Sequence, residues 1–342
     1  MSDYQGSGVW CIAELRHGKL VGTIFELLSA ARVVADGQPI TAVVIGGSAA
    51  GQAAAPAIAE RGPDRVLVLA HDALENFIDE AYALALTAAV AKEKPARLLL
   101  PSSVMGRSLA GRLSTALGGS QLSDATELSI GADKRLQASR PIFGGSALET
   151  RAARRGPEVA TVRPMAYPRA ESSGKKAEVA SLAVDASSWR LRTRFASFSP
   201  EETNEIDLSG AERVVSGGRG LGGPAGFEWV RKLAKTLGAG VGASRAAVDS
   251  GWIPYRHQVG LTGRTVRPRL YVACGISGQI QHLAGMSASD VIVAINSDGD
   301  CPMMKMATFS VQGDFKDIID ALVAEIERQR GDAPRPAAAA AA

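Results

Sequence analysis

Apolar residues in the first half of the chain fall into short continuous runs separated by stretches with helical spacing. Val9-Trp10-Cys11-Ile12-Ala13, Ile40 to Ile45, Val66-Leu67-Val68-Leu69 and Arg97-Leu98-Leu99-Leu100-Pro101 read as strands. Phe25 to Val34, Ala53 to Ala59, Phe77 to Ala91 and Ser108 to Leu117 read as helices. Continuous apolar strands alternating with helices predict parallel strands buried on both faces. The alternation stops from about Ser120 to Pro168, where short mixed stretches suggest antiparallel strands or an extended excursion. The basic cluster Arg151, Arg154, Arg155 lies there and reads first as a solvated loop, with a partner-facing patch as the alternative. A polar stretch from Glu171 to Asp207 follows, placing the domain junction near Arg190 to Glu205. The pattern then restarts, with strands over Arg213 to Ser216, Ala239 to Gly242, Leu270 to Cys274 and Val291 to Ile295. The matching helices run over Phe227 to Leu237, from Ser244, through Ile280 to Leu283, and over Phe315 to Glu327. The expected fold class is α/β, with two open parallel-sheet domains, 1–195 and 196–329. The Pro- and Ala-rich tail, 330–342, is too short to hold a helix alone and is expected to be disordered.

Composition narrows the function classes. A chain of 342 residues that is 46% hydrophobic can bury a sizeable core and is not a disordered polymer. Lys and Arg number 38 against 35 Asp and Glu, so a net +3 leaves no footprint for a nucleic-acid binder. Aromatics at 5% also disfavour a single-strand stacking platform. Three scattered cysteines give neither a disulfide framework nor zinc spacing, and the four histidines lack ligand spacing. The longest weakly polar run, Ala81 to Ala91, falls far short of the ~20 residues a spanning helix needs. No basic n-region opens the sequence, so a cytoplasmic protein with no membrane insertion is expected.

Candidate chemistry concentrates in four consecutive strand-to-helix turns of the second half: Gly217 to Gly223, Gly242 to Ala246, Cys274 to His282, and Ala294 to Asp300. In an open α/β sheet such turns lie at the carboxyl edge, where ligands bind. Glycine admits close backbone approach to an anion, and the next helix adds its positive end. Four such turns together point to one large phosphate-bearing ligand. Gly218-x-Gly220-x-x-Gly223 satisfies the dinucleotide fingerprint, but the next strand ends in Gly242-Ala243-Ser244-Arg245 without the carboxylate that would hold a ribose. This argues against a pyridine-nucleotide dehydrogenase domain. The Gly46-Gly47-Ser48-Ala49-Ala50-Gly51 turn of the first half reads as structural. Arg219 and Arg245 stand in glycine-rich turns, where arginine neutralises pyrophosphate or sits beside an electron-rich ring. No Ser-His-Asp or Cys-His arrangement accompanies them. A binding site without acid, base or nucleophile suits a redox cofactor, which brings its own chemistry.

Leu270 to Met286, including Cys274-Gly275-Ile276-Ser277-Gly278-Gln279-Ile280-Gln281-His282, followed by Ile292 to Asn296, closely resembles the signature of the electron-transfer flavoprotein α subunit. Val214 to Gly220, Gly242 to Asp249 and Gln258 to Gly263 are also similar to that family. The likeness is tight over Val214 to Asp314 and looser over the first half, where Leu148-Glu149-Thr150 and Ala160 to Pro164 carry it. It implies a Rossmann-like FAD-binding C-terminal domain and a heterodimer with an electron-transfer flavoprotein β subunit. The N-terminal domain would then serve as scaffold and subunit contact. The resemblance places Arg245 against the isoalloxazine ring, where its charge favours the reduced, anionic flavin. It places Thr262 at flavin N5, His282 near O2, and Gln258 by the ribityl chain or ring. It assigns Ser244, Ser277, Arg219, Gly220 and Asn296 to the pyrophosphate and adenosine, and Asp314 to the adenosine ribose, a residue that also fits a helix N-cap. Val259, Gly260, Gly275, Gln279 and Gln281 complete the cofactor-binding set it implies. The implied role is an electron carrier, not itself an enzyme. It would relay electrons from acyl-CoA dehydrogenases to the electron-transfer flavoprotein quinone oxidoreductase or another acceptor. Leu261 stands where many members carry Gln. That departure is more like the branch that bifurcates electrons from NADH, in which the β subunit holds a second FAD in place of AMP.

Overall fold

The computed structural model describes residues 4–199 and 206–331. Its contacts divide the chain into two compact units, 1–199 and 200–342, against the 195/196 boundary expected from the sequence.

The first unit contains β1 (Val9–Ala13), a hairpin of β2 (Leu15–Arg16) and β3 (Lys19–Leu20), α1 (Thr23–Val34), β4 (Ile40–Gly46), α2 (Ser48–Ala59), β5 (Arg65–Ala70), α3 (Asp79–Glu93), β6 (Arg97–Pro101) and α4 (Val104–Ala116). It continues with β7 (Ser120–Ala125), β8 (Glu127–Ile130), β9 (Leu136–Ile142), β10 (Ala147–Ala152), β11 (Glu158–Val162) and β12 (Glu178–Ser181). Seven parallel strands order as β12-β5-β4-β1-β6-β11-β7. The strands β1, β4, β6 and β11 are buried along their whole length, with Arg97 and Glu158 paired where β6 and β11 begin. The irregular stretch after Ser120 proves mixed: β7 and β11 join the main sheet, and β8 to β10 form an antiparallel sheet beside it. At the Gly46-Gly47 turn, a Cβ on Gly47 would collide with the Glu75 carboxylate. The chain's own side chain fills that turn, consistent with a structural role.

The second unit contains β13 (Arg213–Gly217), α5 (Phe227–Leu237), β14 (Gly240–Ala243), α6 (Arg245–Asp249), β15 (Leu270–Cys274), α7 (Ile280–Leu283), β16 (Val291–Asn296), α8 (Pro302–Met306), β17 (Phe309–Gln312) and α9 (Phe315–Arg330). Its five strands are all parallel, in the order β14-β13-β15-β16-β17. Phe227, Val230 and Leu233 of α5 share one core with Phe315, Ile319 and Val323 of α9. The strand order reverses between β13 and β15. That reversal is the topological switch point, where open α/β sheets hold their ligands. The tail expected to be disordered lies outside the described residues from 332 onward. Among the described residues, no helix is long and apolar enough to cross a membrane.

Candidate functional site

A cavity of about 660 Å³ opens at the switch point of the second unit. Pockets of roughly 300–1,000 Å³ commonly hold small-molecule ligands.

The turns after β13 and β15 are pinned together. The Gly218 amide donates to Cys274 O and the Gly220 amide to Gly275 O, both at 2.9 Å. A Cβ on Gly220 would lie 2.8 Å from the Gly275 carbonyl oxygen, so these glycines let two backbones touch. The fingerprint glycines therefore spend these amides inside the protein. The next turn is different. Asn296 Nδ2 donates to Ile276 O at 3.1 Å, and the Met303 amide donates to Ser277 O at 3.1 Å. Those bonds draw the carbonyls of this turn toward β16 and α8. Among the described residues, the amides of Ile276, Ser277 and Gly278 have no acceptor, and all three residues line the cavity. Consecutive free amides form an anion cradle, which fits a pyrophosphate.

Ser244 ends the β14 turn and caps α6, its Oγ accepting from the Ala247 amide at 3.4 Å. That cap sets Arg245 at the first position of α6, in the cavity wall. Arg219 lies across the switch point in the turn after β13. The loop from Gln258 to Arg264 closes another side. The Val259 amide donates to Ala243 O at 2.9 Å and the Leu261 amide to Gln281 O at 2.7 Å. Gln258 Nε2 donates to Thr262 Oγ1 at 3.0 Å, which leaves the threonine hydroxyl proton for another acceptor.

His282 on α7 is buried, with Nε2 2.9 Å from Tyr271 Oη and Nδ1 without a hydrogen-bond partner. Burial pushes its pKa down to about 4, and the Val259 backbone works weakly the other way. The imidazole is neutral at pH 7. The cradle of amides and the two arginines together fit a flavin dinucleotide.

Every residue of the cofactor-binding set expected from the sequence lines this cavity except Asp314. Asp314 is the N-cap of α9, its carboxylate accepting from the Lys316 amide at 2.8 Å. Asn296 lines the cavity but works within the protein, since its Oδ1 also accepts from the Asp298 amide at 3.1 Å. Two acidic lining residues were not foreseen, Asp249 and Asp298. Asp249 carries a signal in retrospect, because it stands one helical turn beyond Arg245.

A parallel sheet whose switch-point turns enclose free amides and two arginines is a doubly wound fold with a site suited to a nucleotide cofactor. Residues 9–187 match the electron transfer flavoprotein domain family, and residues 207–287 match the electron transfer flavoprotein FAD-binding domain family. The chain is 41% identical over 332 residues to the electron transfer flavoprotein subunit alpha of Thermoanaerobacterium thermosaccharolyticum, covering 96% of this chain and 99% of the relative. It is 38% identical to protein FixB of Clostridium saccharobutylicum, over 95% of this chain and 97% of that one. It is 35% identical to the acryloyl-CoA reductase electron transfer subunit beta of Anaerotignum propionicum, over 93% and 95%. The chain belongs to the electron transfer flavoprotein family, as an α subunit.

Proposed function

We propose that this chain holds one FAD in its second unit and, paired with a β subunit, relays electrons from acyl-CoA and related dehydrogenases to a quinone reductase or another acceptor. The observation that carries the reading is the switch-point cavity, where free amides and Arg219 and Arg245 meet. The cofactor would supply a ring that accepts and returns electrons. The chain's own residues do the rest. The amides of Ile276, Ser277 and Gly278 bind the pyrophosphate, with Arg219 neutralising it. Arg245 sets positive charge beside the ring, and the Thr262 hydroxyl donates toward it. Charge and donors placed there favour the reduced form, because reduction adds negative charge. The test is to purify the chain with its β partner, record the visible spectrum, and identify the nucleotide released on denaturation. One FAD per heterodimer is expected; a colourless heterodimer that releases none would sink the reading.

A second reading makes the chain part of an NADH-dependent bifurcating complex. Leu261, 61% exposed in the cavity wall, supports it, as does similarity to the FixB protein and the acryloyl-CoA reductase subunit. It requires two FAD per heterodimer and direct flavin reduction by NADH. One FAD and no response to NADH exclude it.

A further inference from the structure

Behind the cavity wall stands a residue that touches no ligand space. Tyr271, the second residue of β15, is fully buried and held in register between Val214 of β13 and Ile292 of β16. Its side chain therefore has a fixed origin. Its Oη lies 2.9 Å from Nε2 of His282, which lines the cavity, and the two rings meet edge-on at 6.1 Å and 60°.

Two protons must be placed in this dry pair. Burial raises the pKa of the Tyr271 phenol, so it keeps its proton, and burial lowers that of His282, so the imidazole carries one proton. A neutral imidazole has one donor nitrogen and one acceptor nitrogen. If Nε2 carried the proton and gave it to the phenol oxygen, the phenol proton would need an acceptor of its own. The nearby Ser216 hydroxyl lowers the phenol pKa as a hydrogen-bonding neighbour, the effect of a donor to the phenol oxygen and not of an acceptor of its proton. If the phenol donates to Nε2, its proton is satisfied and the imidazole proton moves to Nδ1, toward the Val259 backbone, which acts on the ring as a hydrogen-bond acceptor. The other tautomer would turn the bare Nδ1 lone pair on that acceptor.

We propose that Tyr271 is a positioning residue for the cofactor site: its hydroxyl donates to His282 Nε2 and locks that ring as the neutral Nδ1–H tautomer. The tautomer matters because moving the proton between ring nitrogens reorients the imidazole dipole in the cavity wall. In a low-dielectric site a reoriented dipole changes the potential at the bound ring. The flavin half of this inference rests on the reading that the cavity holds FAD; the tautomer half does not.

The test is ring-¹⁵N-histidine NMR on the full chain co-expressed with its β partner, with His282 assigned by its loss in His282→Asn. Wild type is expected to show Nε2 unprotonated and Nδ1 protonated. Tyr271→Phe removes one oxygen and keeps the ring, so FAD stoichiometry should hold. Its His282 signals should shift toward the other tautomer, and the flavin midpoint potential should move. A wild-type spectrum with Nε2 protonated overturns the proposal, even if Tyr271→Phe fails to fold. So does a folded, FAD-bearing Tyr271→Phe whose His282 signals and potential match wild type. Absence of FAD from wild type would instead overturn the cofactor reading, with the His282 tautomer still readable.

Discussion

Arg245 Nε donates to Asp249 Oδ2 at 3.1 Å, one turn along α6, and both residues line the same cavity. The side chains are 66% and 61% exposed, so in solvent the pair adds little to stability. Its consequence lies in the cavity, where a bound ring would feel the guanidinium and a carboxylate that partly cancels it. The two charges should therefore act on the flavin potential with opposite signs. Arg245→Ala should lower the midpoint potential and Asp249→Asn should raise it. Each shift should be on the order of tens of millivolts, about 30 mV being a tenfold change for a two-electron couple. Spectroelectrochemistry of the two variants checks this. Shifts of the same sign would mean that Asp249 acts only by steering Arg245.

The contact between the turns after β13 and β15 should be intolerant of a single methyl group. Gly275 has φ +62°, and a Cβ there would lie 2.8 Å from the Gly220 carbonyl carbon. Gly222, in the same turn as Gly220, has φ +76° but opens on empty space. Both substitutions incur the left-handed backbone cost of about 1–2 kcal/mol. Only Gly275→Ala also forces two backbones apart. We expect Gly222→Ala to lose about 1 kcal/mol and keep FAD, and Gly275→Ala to lose several times that and release it. Urea unfolding and flavin content, measured on the same preparations, check both.

In the first unit the critical contact is ionic. Arg97 Nε lies 3.0 Å from Glu158 Oε2 at the paired starts of β6 and β11, and both side chains are buried. Arg97 also donates to Val34 O and Lys134 O, and the Leu136 amide donates to Glu158. Removing one partner of such a pair strands the other charge, at a cost of roughly 3–5 kcal/mol. Glu158→Ala should lower the urea midpoint strongly, and the double change Arg97→Met with Glu158→Leu should recover much of the loss. A Glu158→Ala protein with the wild-type midpoint would contradict this account.

What the sequence made legible follows from how each element is buried. Leu270–Cys274 and Phe227–Leu237 fall where the pattern put them, because one is an unbroken apolar run and the other ends at Gly238. The strand Phe309–Gln312 went unforeseen: it is a short edge strand, exposed throughout, so nothing in its pattern reports a sheet. Glu178–Ser181 is a similar edge strand drawn from a stretch that read as linker. The helix α2 begins at Ser48, not Ala53, because Ser48 to Gln52 offers little apolar signal. At the site, glycines and arginines announced themselves by their place in turns. Asp249 and Asp298 did not, since a lone carboxylate in sequence reads as solvated surface. The role of Asn296 as a brace depends on Ile276, twenty residues away, a pairing only the fold creates.

His282 should also make the second unit sensitive to mild acid. Its pKa falls from 6.5 to about 4 in the folded protein, mainly through burial. Above pH 6.5 the ring is neutral in both folded and unfolded chains, and its burial carries no protonation cost. As pH drops below 6.5 the unfolded chain takes up a proton that the folded one refuses. Stability is therefore lost progressively down to about pH 4, by roughly 3 kcal/mol in total. The carboxylates held low by ion pairs, such as Glu325 at about 2, add their own loss as pH falls into the ordinary carboxylate range and on down to their folded values. The window between pH 6.5 and about 5 thus belongs largely to buried histidine. Urea unfolding of the second unit at pH 7.5, 6.0 and 5.0 should show a steeper decline for wild type than for His282→Asn, which has no proton to take up. Parallel declines would mean that the ring titrates in the folded protein much as it does in the unfolded chain, and that the cavity wall around it is wet.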